Sequence, residues 1–232
     1  MGRLKNQVQR FNFVPFSKKQ LQLLTWWTDN SPYKDFDVVI ADGSIRSGKT
    51  VSMALSFVLW AMQDFTGQNF AICGKTIHSA RRNVVQPLKQ MLSSRGYVIE
   101  DVRNENLLVI ARKEADKEVI NYFHIFGGKD EASQDLIQGI TLAGIFCDEV
   151  ALMPESFVNQ ATGRCSVDGS KYWFNCNPDG PYHWFKTNWI DRADEKKLVY
   201  LHFTMDDNLS LSERIKARYR AMYTGVFYKR YI

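Results

Sequence analysis

The chain has 232 residues, of which 45% are hydrophobic and 24% charged, with a net charge of +5. That length accommodates one sizeable core, or a large domain with a small appendage, and we expect one main α/β domain. No run of 18 apolar residues occurs, and the stretch from Met1 to Phe16 is basic and mixed rather than a charged tip followed by an apolar signal core, so neither a membrane-spanning helix nor a secretory signal is expected and the cytoplasm is the expected location.

The positive charge sits at the ends. Residues 1–20 carry five basic and no acidic side chains and residues 213–232 carry six basic and one acidic, which leaves the 192 residues between them at −5. Such ends are suited to a nucleic-acid backbone, where phosphate contacts need only Lys and Arg; a solvated tail and an exposed helix face account for them equally well. The four cysteines, Cys73, Cys147, Cys165 and Cys176, form no C-x-x-C pair, and the histidines are scattered. Buried small hydrophobes are expected rather than zinc ligands or disulfides.

In chain order, Phe11, Phe13 and Phe16 precede Lys18-Lys19-Gln20-Leu21-Gln22-Leu23-Leu24, a helix that Ser17 caps after Pro15. An amide both donates to and accepts from the edge of adenine, and an aromatic ring stacks on its face, so Gln20 and Phe16 are the candidates for base recognition, against an ordinary packing helix. Residues 36–41 then read as a short buried strand. It leads into Gly43-Ser44-Ile45-Arg46-Ser47-Gly48-Lys49-Thr50, which fits the phosphate-binding pattern G-x-x-x-x-G-K-[ST] without a mismatch. Glycines at both ends let the backbone form a concave nest of N–H groups, and the following helix, read over 51–61, adds its positive N-terminal end. Lys49 is expected to reach the β and γ phosphates, and Thr50 to give its hydroxyl to Mg²⁺.

A second strand follows at 69–74 and a helix at 79–94. Strand-like runs at 97–100, 107–110 and 118–126, joined by short connections, predict an antiparallel insertion beside a parallel core. A short helix is expected to include Asp135 to Gln138. The apolar run 142–147 ends in Asp148-Glu149. An acid at the carboxyl end of a buried strand is placed to serve the metal, which is the role expected of Asp148; Glu149, directed differently because side chains alternate along a strand, can act on the attacking water. A helix from Pro154 to about Gly163 precedes a strand at 171–176 and the turn Asn177-Pro178-Asp179-Gly180-Pro181. Asn175 and Asn177 are candidates to sense the γ-phosphate, with turn formation as the alternative. A last core strand at 197–203 and a basic amphipathic helix at 210–223 complete the reading.

With these residues in place, the chain resembles the ATPase half of the large terminase subunit of tailed double-stranded-DNA bacteriophages, in its PBSX-like branch. The aromatic and Gln segment, GSIRSGKT, IFCDEV with its Met-Pro-Glu helix, and YWFNCNPDGPYHWFK carry the likeness. It implies a RecA-like ASCE fold of the P-loop NTPase class, with ATP and Mg²⁺ as cofactors and coupling of ATP hydrolysis to movement of double-stranded DNA into a procapsid. The implied partners are the portal protein, the small terminase subunit and further copies in a homo-oligomeric ring, with no membrane. The implied place of work is the host cytoplasm, at the procapsid portal. Family members use an arginine to stabilise charge on the transferring phosphoryl group. Arg46 is the first choice here and Arg81 and Arg82, expected on a solvated helix face, are weaker ones. The expected division is 1–35 as an adenine-side segment, 36–205 as the ATPase core and 206–232 as a basic helix leading toward a nuclease domain that these residues do not include, so cleavage is not expected of them. Two other readings fit the same residues: a nucleotide-gated docking module for portal or small terminase, and a helicase-like translocase.

Overall fold

The computed structural model describes residues 14–114, 117–177 and 180–223. The expectations for Phe11 and Phe13, the basic side chains before residue 14, Pro178-Asp179 and the charged residues after 223 lie outside them. Eight strands form one sheet in the order β3-β4-β5-β2-β6-β7-β1-β8, with β1 at Val38–Gly43, β2 at Asn69–Gly74, β3 at Val98–Val102, β4 at Leu107–Glu114, β5 at Lys117–Gly127, β6 at Gly144–Asp148, β7 at Lys171–Asn175 and β8 at Leu198–Phe203. From β5 to β8 all neighbours are parallel; β3–β4 and β4–β5 are antiparallel. Strands β1 and β6 are buried along their whole length, Asp42 and Asp148 included, as largely apolar strands are when helices cover both faces of a parallel sheet. The antiparallel insertion is where the sequence predicts it. Strand β8, read as a core strand, is an edge strand instead: Tyr200 and His202 are exposed while its other four residues are buried.

Helix α1 (Lys18–Thr25) begins with a reciprocal cap, in which the Gln20 N–H donates to Ser17 Oγ and the Ser17 N–H donates to Gln20 Oε1. Helix α2 (Lys49–Asp64) extends the predicted span by a turn's worth of residues at its ends. The predicted helix over 79–94 is composite: α3 (Ile77–Ala80) runs through a π-helical turn at Arg81–Val85 into α4 (Gln86–Ser93). Pro87 has no N–H for the Asn83 carbonyl and its ring crowds that turn, a strain that the wider turn relieves. Helix α5 spans Glu155–Gly163, with Pro154 one position outside it as the cap, and the short helix expected near Asp135 is a 3₁₀ segment over Glu131–Ile137. Helices α6 (Trp184–Asn188) and α7 (Glu213–Met222) follow; on α7, Ile215 and Tyr219 are half-buried and Met222 is 68% exposed, so only part of the predicted apolar face is covered. Among the described residues no helix is long and apolar enough to cross a membrane.

One face of the sheet packs against α2 through Phe57, Trp60, Phe70, Phe123, Phe146 and Trp173; the other packs Ile40, Ile145 and Phe174 against α5 and α6. All four cysteines are free thiols, three of them buried and Cys165 half-buried. Within the first face, Ser56 on α2 is a polar hub. Its hydroxyl donates to the Leu23 carbonyl at 2.7 Å and accepts from Trp27 Nε1 and Trp173 Nε1, each at 3.2 Å. One hydroxyl thus fixes α2 against both α1 and β7. Ser56→Ala leaves two buried indole N–H groups and a carbonyl without partners, and is expected to lower stability by about 2–4 kcal/mol in urea denaturation with little change in fold.

Candidate functional site

The loop between β1 and α2 is built by backbone hand. Gly43 has φ 114° and passes so close to β8 that a Cβ there would lie 2.0 Å from the Phe203 carbonyl oxygen, which instead accepts from the Ser44 N–H at 2.9 Å. Arg46 (φ 64°) and Gly48 (φ 85°) are left-handed as well, and Gly48 caps α2 with no side-chain acceptor, so the first-turn N–H groups stay available to an anion. Lys49 is buried inside this curve. Its Nζ donates to the carbonyls of Gly43 (2.9 Å) and Ser44 (2.7 Å), to Ser47 Oγ (3.4 Å) and to Asn177 Oδ1 (3.2 Å). Burial lowers its pKa to about 8, against the opposing influence of Cys176, Asp42 and Asp148.

Facing the loop, three side chains from three elements meet. Thr50 Oγ1 donates to Asp148 Oδ1 at 3.2 Å, and Asn175 Nδ2 donates to both Thr50 Oγ1 (2.8 Å) and Asp148 Oδ1 (2.5 Å). Burial raises the Asp148 pKa to about 6, with Glu149 adding to the rise and Asn175, Thr50 and Lys49 opposing it. Asn175, read as a phosphate sensor, therefore spends its amide on positioning Asp148. Its carbonyl oxygen is buried without a hydrogen-bond partner. Asn177 is the one of the pair that meets Lys49.

Strand alternation is not what separates Glu149 from Asp148. The strand ends at Asp148, and Glu149 turns left-handed (φ 59°) to start a 3₁₀ turn over Val150–Leu152. Among the described residues its half-buried carboxylate accepts no hydrogen bond. A cavity of about 540 Å³ is lined by Arg46, Lys49, Thr50, Asp148, Glu149 and Asn177, together with Asn83 and Asn208, two residues without any sequence signal for the site. Arg46 is exposed at its rim. Arg81 and Arg82 lie elsewhere, in a separate concavity. Arg81 is not simply solvated, since it pairs with Asp101 at 2.9 Å, and Arg82 donates to Asn83 at 3.1 Å.

A second cavity of about 310 Å³, lined by Phe16, Gln20, Val51 and Asn208, meets the first at Gly48. Gln20 is buried there, and a Cβ on Gly48 would lie 2.5 Å from its Nε2. The positive φ favours glycine at this position, and any side chain there would also have to displace the Gln20 amide. Since the cap takes one lone pair of Gln20 Oε1, the Nε2 donor and the second lone pair remain for other partners.

A parallel sheet, a glycine loop opening a helix, and an acid on β6, separated from β1 by β7, define a P-loop NTPase fold of the RecA-like type. Residues 40–230 match the family model for the N-terminal part of the T4likevirus-type terminase large subunit, and the chain belongs to that family. It is 65% identical to the large terminase of a thermophilic bacteriophage, covering 94% of this chain and 53% of that one with a TM-score of 0.90. A complex of that phage's large terminase with ATP-gamma-S aligns with 62% identity over 94% of this chain and 52% of that one, TM-score 0.87. The chain thus spans about half the length of these relatives. The Thermus phage P74-26 large terminase ATPase domain shares the fold at 16% identity, covering 94% of this chain and 98% of that one, TM-score 0.62. Comparison with curated protein sequences finds no match.

The raised pKa of Asp148 fixes a sign for pH dependence. An acid whose folded pKa lies above its unfolded value near 4 favours folding when protonated, so its ionisation costs stability between about pH 4 and pH 6 and the full cost persists above that. In metal-free buffer, Asp148→Asn is expected to be more stable than wild type by on the order of 2–3 kcal/mol at pH 8, with the difference vanishing near pH 3.5. Urea denaturation across that range checks it; an unchanged or lower stability at pH 8 contradicts the assignment.

Proposed function

We propose that this chain is an ATP-hydrolysing unit of a viral DNA-packaging motor, coupling hydrolysis to translocation of double-stranded DNA into a procapsid. The observation that carries the reading is the convergence of Lys49, Thr50, Asp148, Glu149 and Arg46 on one cavity. The family assignment and the ATP-gamma-S complex of the thermophilic phage relative support it. In this reading Lys49 leaves its loop carbonyls for the β and γ phosphates, which also receive the N–H groups of residues 43–50. Asn177 reports the state of Lys49 to the segment after β7. The apolar cavity takes the nucleobase, stacked by Phe16 and bonded at its edge by Gln20.

The residues fit a magnesium ion. Thr50 Oγ1 and Asp148 Oδ1 are hard oxygens 3.2 Å apart, and burial pushes the Asp148 carboxylate up in pKa, so a cation beside it would favour the ionised form; an ion held by one or two protein oxygens, with phosphate and water completing the shell, is the usual arrangement. Bound there, the ion would offset charge on the phosphates. Glu149 carries the general-base role: its carboxylate lines the cavity with no protein donor among the described residues to compete for it, so it can accept a proton from water aimed at the γ-phosphorus. Arg46, at the rim, stabilises charge that develops on the transferring group. The portal protein, the small terminase subunit and a homo-oligomeric ring belong to the same proposal, as does action in the host cytoplasm at the procapsid portal.

Glu149→Gln tests the core of it. The variant is expected to bind ATP within about threefold of wild type while releasing phosphate at least about a hundredfold more slowly, the usual size of a general-base effect. Near-normal turnover would remove Glu149 from the role.

A further inference from the structure

Three consecutive residues after β8 each bind a different part of the molecule. Asp206 Oδ1 accepts from Arg220 Nη2 at 2.7 Å and lies 3.5 Å from Lys216 Nζ, both on α7. Asp207 Oδ2 accepts from Lys19 Nζ of α1 at 2.9 Å and from the Thr204 N–H at 2.8 Å. Asn208 Nδ2 donates to the Arg46 carbonyl in the phosphate loop at 2.7 Å. The amide of Asn208 is held from its other end too, because its Oδ1 accepts from the Ser210 N–H (3.1 Å) and from Ser210 Oγ (2.6 Å).

The bond falls at the loop's weakest point. Arg46 is the only non-glycine residue of the loop in the left-handed region, a conformation that an L-residue keeps only when its surroundings over-determine it. Asn208 supplies that determination from outside the loop, and by fixing the carbonyl it also sets the direction in which the Arg46 side chain leaves the backbone. Asn208 borders both cavities where they meet at Gly48, so a ligand spanning them passes along it. Two residues before it, Asp206 holds a cation of α7 whose residue is buried, Lys216, besides Arg220.

We propose that Asn208 is a positioning residue for Arg46 and that, through Asp206, it ties the state of the phosphate loop to the placement of α7. The proposal rests on the nucleotide reading above and adds to it a mechanical output, one in which a change at the Arg46 carbonyl moves the segment 206–208 and with it the ion pairs to α7.

The test uses the full chain with ATP, or with ATP-gamma-S and magnesium. Backbone amides of 213–222 in wild type are expected to exchange hydrogen at least about threefold more slowly with ATP-gamma-S bound. Asn208→Ala should bind ATP within about threefold of wild type, lose about tenfold in kcat and lose the response of α7; Asp206→Asn should lose the response of α7 with kcat unchanged. In an Arg46→Gln background, adding Asn208→Ala should cost less than about twofold more in kcat, since two residues acting as one unit are not additive. Equal losses in both backgrounds would mean that Asn208 only supports the fold, and unchanged turnover or an intact α7 response in Asn208→Ala would also overturn the proposal. Wild type that fails to bind ATP at all would instead sink the nucleotide reading, and this proposal with it.

Discussion

Burying the carboxylate of Asp148 is the constraint on which the rest of the arrangement depends. A carboxylate taken out of water must be met by donors, and its donors here come from Asn175 at the end of β7 and Thr50 in the first turn of α2. Two strand ends and a helix start are thereby held to one point. The packing beneath serves the same convergence. Gly144 opens β6 for Trp60, whose ring would lie 2.7 Å from a Cβ at that position, and Ser56 bonds α2 to Trp173 on β7. The strand order β6-β7-β1 then puts the acid within reach of the loop while β7 supplies the residue that holds it.

The two buried ionisable groups of the site are displaced in complementary ways. Burial moves Lys49 down to about 8 and Asp148 up to about 6, so each is pushed toward its neutral form and each gains from a partner of opposite charge. They do not satisfy one another: Lys49 is turned into the loop carbonyls and Asp148 toward amide and hydroxyl donors. In the proposed reading a polyphosphate would answer the first and a cation the second, and perturbed groups of opposite sign in one cleft are consistent with such a ligand pair.

Much of this was legible in the sequence because it is local. The phosphate loop is eight consecutive residues, the cap at Ser17 uses a residue three positions on, and the buried strands are short runs dominated by apolar residues. What sequence could not supply is spatial. Leu198, Val199, Leu201 and Phe203 read the same in an edge strand as in a central one, and only pairing on one side of β8 tells them apart. The π turn follows from Pro87 meeting the Asn83 carbonyl inside a helix, a conflict that a helical periodicity does not display. Asn83 and Asn208 enter the site as isolated polar residues from distant segments, with no motif to mark them. The division of labour between Asn175 and Asn177 has the same origin, because which of two amides reaches Lys49 depends on where β7 stops.

The position of Glu149 shows how core packing can set a polar group's direction. A non-glycine residue in the left-handed region costs on the order of 1 kcal/mol, and nothing in its own side chain repays that. The compensation lies just beyond it. Val150 and Met153 are buried in the second core cluster against Cys147 and Phe157, and the Leu152 N–H closes a turn on the Glu149 carbonyl at 2.9 Å. Those apolar anchors fix the chain on both sides of Glu149, so the strand must break at Asp148 and the break must take the left-handed turn. Its carboxylate is thereby presented to the cavity without a protein donor of its own among the described residues, whereas Asp148 one residue earlier has its Oδ1 held by Thr50 and Asn175. Adjacent acids acquire opposite circumstances from one backbone reversal, and the roles proposed for them, one holding a cation and the other accepting a proton, draw on that difference.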